Sequence, residues 1–398
     1  MAYIRKRGKT WSYVVEGPKD PVTGERAQIP KSGFRTEKEA SLAAKELEIQ
    51  IAKGLYVKEQ KISFRSFSDK WLKWYAAGVI SKKPKISSVR QREYQIESIL
   101  KFFDAITIGN ITRNQYQDML ISMDQNMERN TIQGIHGTAK MIFRKAMQDG
   151  VIKIDPTEYA KVPTSDEEIN ELPKYMEKEQ LAQFLKLAKH RGLDNDYAVF
   201  LVLAYTGMRV GELCALRWGD IDFKEHTISI NGTLYNPEDL STWYEILPPK
   251  TKKSRRTIDV DPNVFTELES LKAKQNEFRM RYRKTYHDAD FVFGRMDQPR
   301  HAPQGNHYGY PPKRRTIELR MERITQWMSL PNKLTPHSLR HTHTSLCAEA
   351  KIDIEVIMER LGHKNDTVTR LVYLHVTKSM KKEASAKFGA LMSEVVKM

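Results

Sequence analysis

Between residues 162 and 180 the chain reads VPTSDEEINELPKYMEKEQ, a stretch that no single packed core can run through. Two prolines, a serine and a run of acids mark an exposed linker. The character of the sequence differs on its two sides, which places a domain boundary near residue 170. At 398 residues the chain is long enough for two or three domains.

Ahead of the linker lie two patterns. YIRKRGKTWSYVVEG and DPVTGERAQIPKSGF read as short strands, with Trp11, Tyr13 and Val15 alternating and Asp20-Pro21 and Thr23-Gly24 supplying turn residues. TEKEASLAAKELEIQIAKG follows as a helix capped by Thr36, with Glu39 three residues on. Such a small three-stranded sheet with one helix is near the size limit for independent folding. From residue 62 to about 160 the pattern turns helical. Phe64, Phe67, Trp71 and Trp74 recur at helical intervals, as do Val89, Tyr94, Ile96 and Leu100, and Gly150 stops a further helix. These stripes predict the core of a compact bundle.

The formal net charge of +16 and a pI near 9.5 fit a polyanionic partner. Arg5, Lys6, Arg7 and Lys9 lie on the first strand beside aromatic residues. Lys82, Lys83, Lys85, Arg90 and Arg92 gather at the start of one helix, where backbone amides and cations both meet phosphates. A solvated basic surface is the plainer account of either group. The only cysteines, Cys214 and Cys347, are far apart and lack zinc-like spacing, which excludes a disulfide scaffold and suits a reducing compartment. Without an apolar leader segment or a run of about 18 apolar residues, a soluble cytoplasmic protein with no membrane partner is expected.

Beyond the linker, YAVFLVLAYTG predicts a buried helix stopped at Gly207, and VGELCALRW the next helix. Arg209 falls in the turn between them. A guanidinium there needs an anion, either Glu212 or a phosphate. HTISINGTLYN, STWYEILPP and SRRTIDVD read as three antiparallel strands, with KTKKSR as the hairpin turn between the last two. Its lysines are either solvated or reach into a groove; Lys250 stands first, with Lys252 and Lys253 as competitors. In LTPHSLRHTHTS, Thr335 and Pro336 start a helix that sets His337 and Arg340 on one face at its positive end, a phosphate-binding arrangement. His341, four residues after His337, invites a zinc reading, but an acid and a third ligand are missing. In MERLGHKNDTVTRLVYLHV, Gly362 ends a helix, His363 follows in the turn, and Tyr373 comes ten residues later.

Taken in order, Arg209, Lys250, His337, Arg340, His363 and Tyr373 resemble the pattern of the tyrosine recombinases, the integrases of temperate phages and conjugative transposons. The matching segments are TGMRVGEL, PPKTKKSRR, PHSLRHT, LGHKN and VYLHV. Many relatives have nine residues between the last His and the Tyr, where this chain has ten. The resemblance implies a mainly helical multidomain protein with small β elements. Residues 1–60 would be an arm-type DNA-binding domain with a three-stranded sheet and a helix, 61–165 a helical core-binding domain, and 166–398 an α+β catalytic domain ending in an interaction helix. It implies a site-specific recombinase that integrates and excises a mobile element through a 3′-phosphotyrosyl intermediate, with no cofactor or metal. Its partners would be double-stranded DNA at core and arm attachment sites, three further copies in a homotetramer, a directionality factor and a host DNA-bending protein. Two rival functions are a type IB topoisomerase-like enzyme and a catalytically inactive DNA-binding regulator on the same scaffold. Met380, Ala384, Phe388, Leu391 and Val395 form one face of the last helix, which either packs on its own domain or, by the resemblance, docks on a neighbouring subunit.

Overall fold

The structure is a computed structural model that describes residues 2–19, 26–53, 61–80, 83–164, 174–193, 195–238, 240, 242–249, 254–296, 307–330, 334–362 and 367–397. The chain divides into two compact units, Met1–Glu168 and Ile169–Met398. Among the described residues no helix is long and apolar enough to cross a membrane.

The first unit opens with an antiparallel sheet of β1 (Tyr3–Arg7), β2 (Thr10–Lys19) and β3 (Arg26–Phe34), in that spatial order. Gly8, at φ 60°, makes the tight return that pairs Arg7 with Thr10 and Lys6 with Trp11. Alternation along β2 turns Tyr13 and Val15 inward against Ala44 of α1 (Glu37–Ala52). The Thr36 hydroxyl accepts from the Glu39 N–H at 3.2 Å, as the sequence predicts. The Glu39 carboxylate reaches back one residue beyond the cap, to the Arg35 N–H at 3.0 Å. Arg5, Lys6, Arg7 and Lys9 are all exposed.

A bundle follows, of α2 (Phe64–Ala77), α3 (Ile86–Phe103), α4 (Arg113–Asp124) and α5 (Arg129–Gln148). Phe64, Phe67, Trp71, Ile99, Tyr116 and Phe143 fill its centre. Trp74 lies at the margin of this core and carries Lys70 and Lys145 over its ring, at 4.7 and 5.3 Å. Tyr94 departs from the predicted stripe. It is 60% exposed, because the buried face of α3 runs through Ile96, Ile99, Leu100 and Phe103, about half a helical turn away. Arg92 does not face outward as a free phosphate ligand. Its Nη1 donates to Gln95 Oε1 at 2.9 Å and to Thr138 Oγ1 at 2.6 Å, tying α3 to α5.

In the second unit, α6 (Lys178–Arg191), α7 (Asp196–Thr206) and α8 (Val210–Ala215) are followed by short strands: β4 (Ile221–Asp222), β5 (Thr227–Ile230), β6 (Thr233–Tyr235), β7 (Glu245–Leu247) and β8 (Arg256–Asp259). Helices α9 (Pro262–Arg281), α10 (Arg314–Trp327), α11 (Pro336–Glu349), α12 (Ile354–Leu361) and α13 (Thr367–Lys397) complete it. Helix α7 is buried nearly all round, with Phe200, Leu203 and Ala204 in the core. Asp196 at its N-terminus takes Arg320 at 3.1 Å and Arg323 at 2.9 Å, which fastens α10 to that end. The strand segment corrects the sequence expectation. HTISINGTLYN is two strands, broken at Asn231-Gly232, and they belong to different sheets: β5 lies between β4 and β8, whereas β6 pairs with β7 alone. Among the described residues β7 and β8 are not paired with each other, and the turn expected at KTKK, residues 250–253, lies outside the described residues. A close approach explains the break, since a Cβ on Gly232 would sit 2.7 Å from Ile246 Cγ2.

Candidate active site

Helix α7 ends where the sequence predicts, at Gly207 in the left-handed region at φ 60°. A side chain there is excluded twice over. A Cβ would meet Leu361 Cδ2 at 2.7 Å and His343 Cδ2 at 2.8 Å. Two residues later Arg209 caps α8 through Glu212, which accepts from the Arg209 N–H at 2.9 Å and from its Nη1 at 3.0 Å. The anion beside Arg209 is thus a carboxylate of its own helix. The Arg209 side chain nevertheless remains 41% exposed.

Glu212 is buried and also faces Arg256 of β8, whose Nη2 and Nη1 reach it at 2.9 and 3.4 Å. Burial opposes its ionisation. The hydrogen bond and charge of Arg256, with the backbone N–H and charge of Arg209, outweigh it and hold the carboxyl below the usual carboxylate range.

Arg340, 2% exposed, occupies the middle of the unit. Its Nη1 donates to the Gly207 carbonyl and its Nη2 to the Leu361 carbonyl, each at 2.6 Å. One guanidinium therefore clasps the C-terminal ends of α7 and α12, where carbonyls have no helical partner. Helix α11 presents it because Pro336 and Thr335 start that helix as predicted, with the Thr335 N–H donating to Ser338 Oγ at 3.1 Å. His337 is exposed in the first turn and packs edge-to-face with His341 at 4.7 Å. It shares with Arg209 a groove of about 470 Å³ that Thr233, Arg314 and Glu318 also line.

The third histidine of the cluster has another task. His343 is buried, and its Nδ1 donates to the Ala204 carbonyl at 3.0 Å. Nε2 is then the acceptor, 3.6 Å from the Cys347 thiol. Burial first, and then the Arg360 charge, push the His343 pKa down to about 4, so the ring is neutral at pH 7. Burial pushes the Cys347 thiol up, which keeps it protonated as the donor.

Tyr373 lies on α13, half-buried against Cys347, Ile357 and Leu361. Buried Thr369, Val372 and Val376 set that face of the helix. Of the six residues singled out by the sequence, Arg209 and His337 line one groove, Arg340 braces the Arg209 turn, and Tyr373 packs against the cluster of Cys347, Ile357 and Leu361. Lys250 and His363 lie outside the described residues, as do Lys252 and Lys253. Among the described residues, no three His, Cys, Asp or Glu side chains gather as a metal site. Arg256 and His343 were not singled out. The sequence does carry a signal for Arg256, which alternates in phase with the buried Ile258 and Val260 and so puts a cation on the apolar face of its strand.

Comparison with known proteins agrees with this architecture. The phage integrase family matches residues 174–380, an arm DNA-binding domain matches 3–51, and a phage integrase N-terminal SAM-like domain matches 63–123. The integrase of Staphylococcus phage L54a is 27% identical over 349 residues, covering 83% of this chain and 94% of its own. The Tn1549 transposon integrase, solved with transposon right-end DNA, superposes with a TM-score of 0.65 at 19% identity, over 81% of this chain and 100% of that one. A lambda integrase tetramer on a Holliday junction gives 0.57 at 17%, over 93% and 94% of the two chains. The chain belongs to the phage integrase family. It is a site-specific tyrosine recombinase, an enzyme that integrates and excises mobile elements by cutting and rejoining DNA.

Proposed function

We propose that Tyr373 attacks the scissile phosphodiester and holds the cut strand as a 3′-phosphotyrosyl ester. Arg209 and Arg340 would clamp the non-bridging oxygens, and His337 and His363 would donate hydrogen bonds to the same phosphate. Lys250 would protonate the departing 5′-oxygen. As the Tyr373 oxygen bonds to phosphorus the phenolic proton passes to one of the two histidines, and the phosphorus bond to the 5′-oxygen breaks; religation runs the same steps backwards. The ester conserves the energy of the strand bond, so no external energy source is needed. Each donor aimed at the developing charge contributes roughly 3–4 kcal/mol.

One observation carries this reading. The guanidinium of Arg340 donates to Gly207, two residues before Arg209, and to Leu361, a member of the apolar cluster against which Tyr373 packs. The motifs that bear the arginine and the tyrosine are joined through one buried side chain.

In the same reading, residues 1–60 bind arm sites through the exposed cations of β1, 61–165 grip the core site, and 166–398 carry the chemistry. Four copies assemble on two core sites, as the lambda integrase tetramer does on its junction. A directionality factor and a host bending protein bias the reaction towards integration or excision. The test is a nicked suicide substrate, which traps a covalent complex with the parent protein. Tyr373→Phe is expected to bind the substrate and yield no adduct. An adduct with the Phe variant would move the nucleophile elsewhere.

A further inference from the structure

Arg256 closes the segment PPKTKKSRR without being one of the six residues singled out, and its guanidinium reaches TGMRVGEL, its own segment and the residue before LGHKN. Nε donates to the Arg360 carbonyl at 2.6 Å, close to the end of α12. Nη1 donates to the Ser254 carbonyl at 3.2 Å, at the close of the lysine segment. Nη2 donates to Glu212 at 2.9 Å, and Glu212 in turn holds both the backbone and the side chain of Arg209. All three nitrogens are engaged, and the Arg256 side chain is only 5% exposed. A lysine cannot reproduce this, because one ammonium lacks the planar fork that reaches three directions at once.

We propose that Arg256 is a positioning residue for strand cleavage, fixing the Arg209 turn, the chain at Ser254 and the end of α12 in one register. The inference rests on the reading that Arg209 clamps the phosphate and that a lysine before Ser254 protonates the 5′-oxygen. Arg256 touches no reacting atom in this account. It acts through Glu212 on one side and through the chain at Ser254 on the other. A buried ion pair adds little net stability over an apolar pair, so holding a geometry is the more economical account of its presence.

The experiment is single-turnover cleavage by the full chain on two suicide substrates, one ordinary and one with sulfur at the bridging 5′ position. The sulfur leaves without an acid. Arg256→Lys keeps the charge, and Arg256→Gln keeps a donor for Glu212. Each is assayed for folding by thermal melting and for DNA affinity by gel shift. The variants are expected to bind DNA with affinity within about threefold of the parent and to cut the ordinary substrate about 100-fold more slowly, at the lower end of lost proton transfer. Sulfur should recover at least about tenfold of that deficit, since the displaced lysine is no longer required. Parental cleavage of the ordinary substrate by either bound variant overturns the proposal. So does an equal deficit on both substrates, or loss of folding by both variants, which would make the role purely structural. Controls separate this from the underlying reading. An adduct with Tyr373→Phe, or parental rates with both Lys250→Ala and Lys252→Ala, would sink the chemistry whatever Arg256 does.

Discussion

Among the described residues of 61–164, the helical bundle buries Phe64, Trp71, Tyr116 and Phe143 with a single charged side chain, Asp155. The second unit buries Glu212, Arg256 and Arg340 beside its own apolar core. Apart from Arg92 between α3 and α5, the bundle shows cations at its rim, with Lys70 and Lys145 over Trp74 and Arg113 over Tyr159. Charges at a rim are screened and adjustable, which suits contacts spread along a backbone. Charges in an interior cannot reorganise, which suits a transition state that must be met by donors already in place. The two units thus spend the same residue types on different ends.

Removing an interior cation is the severest way to break that contrast. Arg340→Met strands the Gly207 and Leu361 carbonyls and should destabilise the second unit by about 3–5 kcal/mol, with suicide-substrate cleavage falling below detection. Chemical denaturation and adduct formation would check it, and near-parental stability would mean that the carbonyls find other donors. The bundle's counterpart is Phe143→Ala, which opens a cavity costing roughly 3–5 kcal/mol. Here the rate of adduct formation from the bound complex should stay parental, because no charge at the catalytic centre moves.

Protons give a gentler probe. The folded pKa of His343 is depressed from 6.5 to about 4, so the unfolded chain binds the extra proton between those values. Its contribution is complete above pH 6.5 and is lost as pH falls towards 4, an effect of about 3 kcal/mol. Glu212, depressed as well, adds to the loss as pH falls below the ordinary carboxylate range. His343→Asn should flatten the dependence of melting temperature on pH in this window. An unchanged slope would assign it to other groups, such as His136 in the bundle, which burial and then Lys140 also push down. The smallest effect is expected at the rim: Arg113→Ala, which loses an exposed pair with Glu158 and the stacking on Tyr159, should change stability by less than about 1 kcal/mol.

Local signals were legible in the sequence and long-range ones were not. Gly207, Gly362 and Thr335-Pro336 mark helix ends through the preferences of single residues, and the structure ends or starts α7, α12 and α11 there. The Thr36 cap is equally local. By contrast, HTISINGTLYN alternates like one strand, and only the pairing of β5 with β8 reveals that its halves part company. Arg256 meets Glu212 across 44 positions and Arg360 across 104, separations that no periodicity encodes. The competition for Arg209 between Glu212 and a phosphate was likewise open in the sequence. Folding gives it the carboxylate while leaving part of the guanidinium exposed.

The clasp at Arg340 has a consequence for the order in which the protein is made. The Gly207 carbonyl waits for a donor 133 positions further along the chain. At ordinary rates of translation that interval lasts roughly 7 to 27 s. Throughout it a nascent chain already carries Arg209 and the exposed cations of β1. It still lacks the residue that braces the arginine turn, and the tyrosine lies later still. The brace on the arginine turn is therefore a late contact, made only once two segments 133 positions apart have both been synthesised.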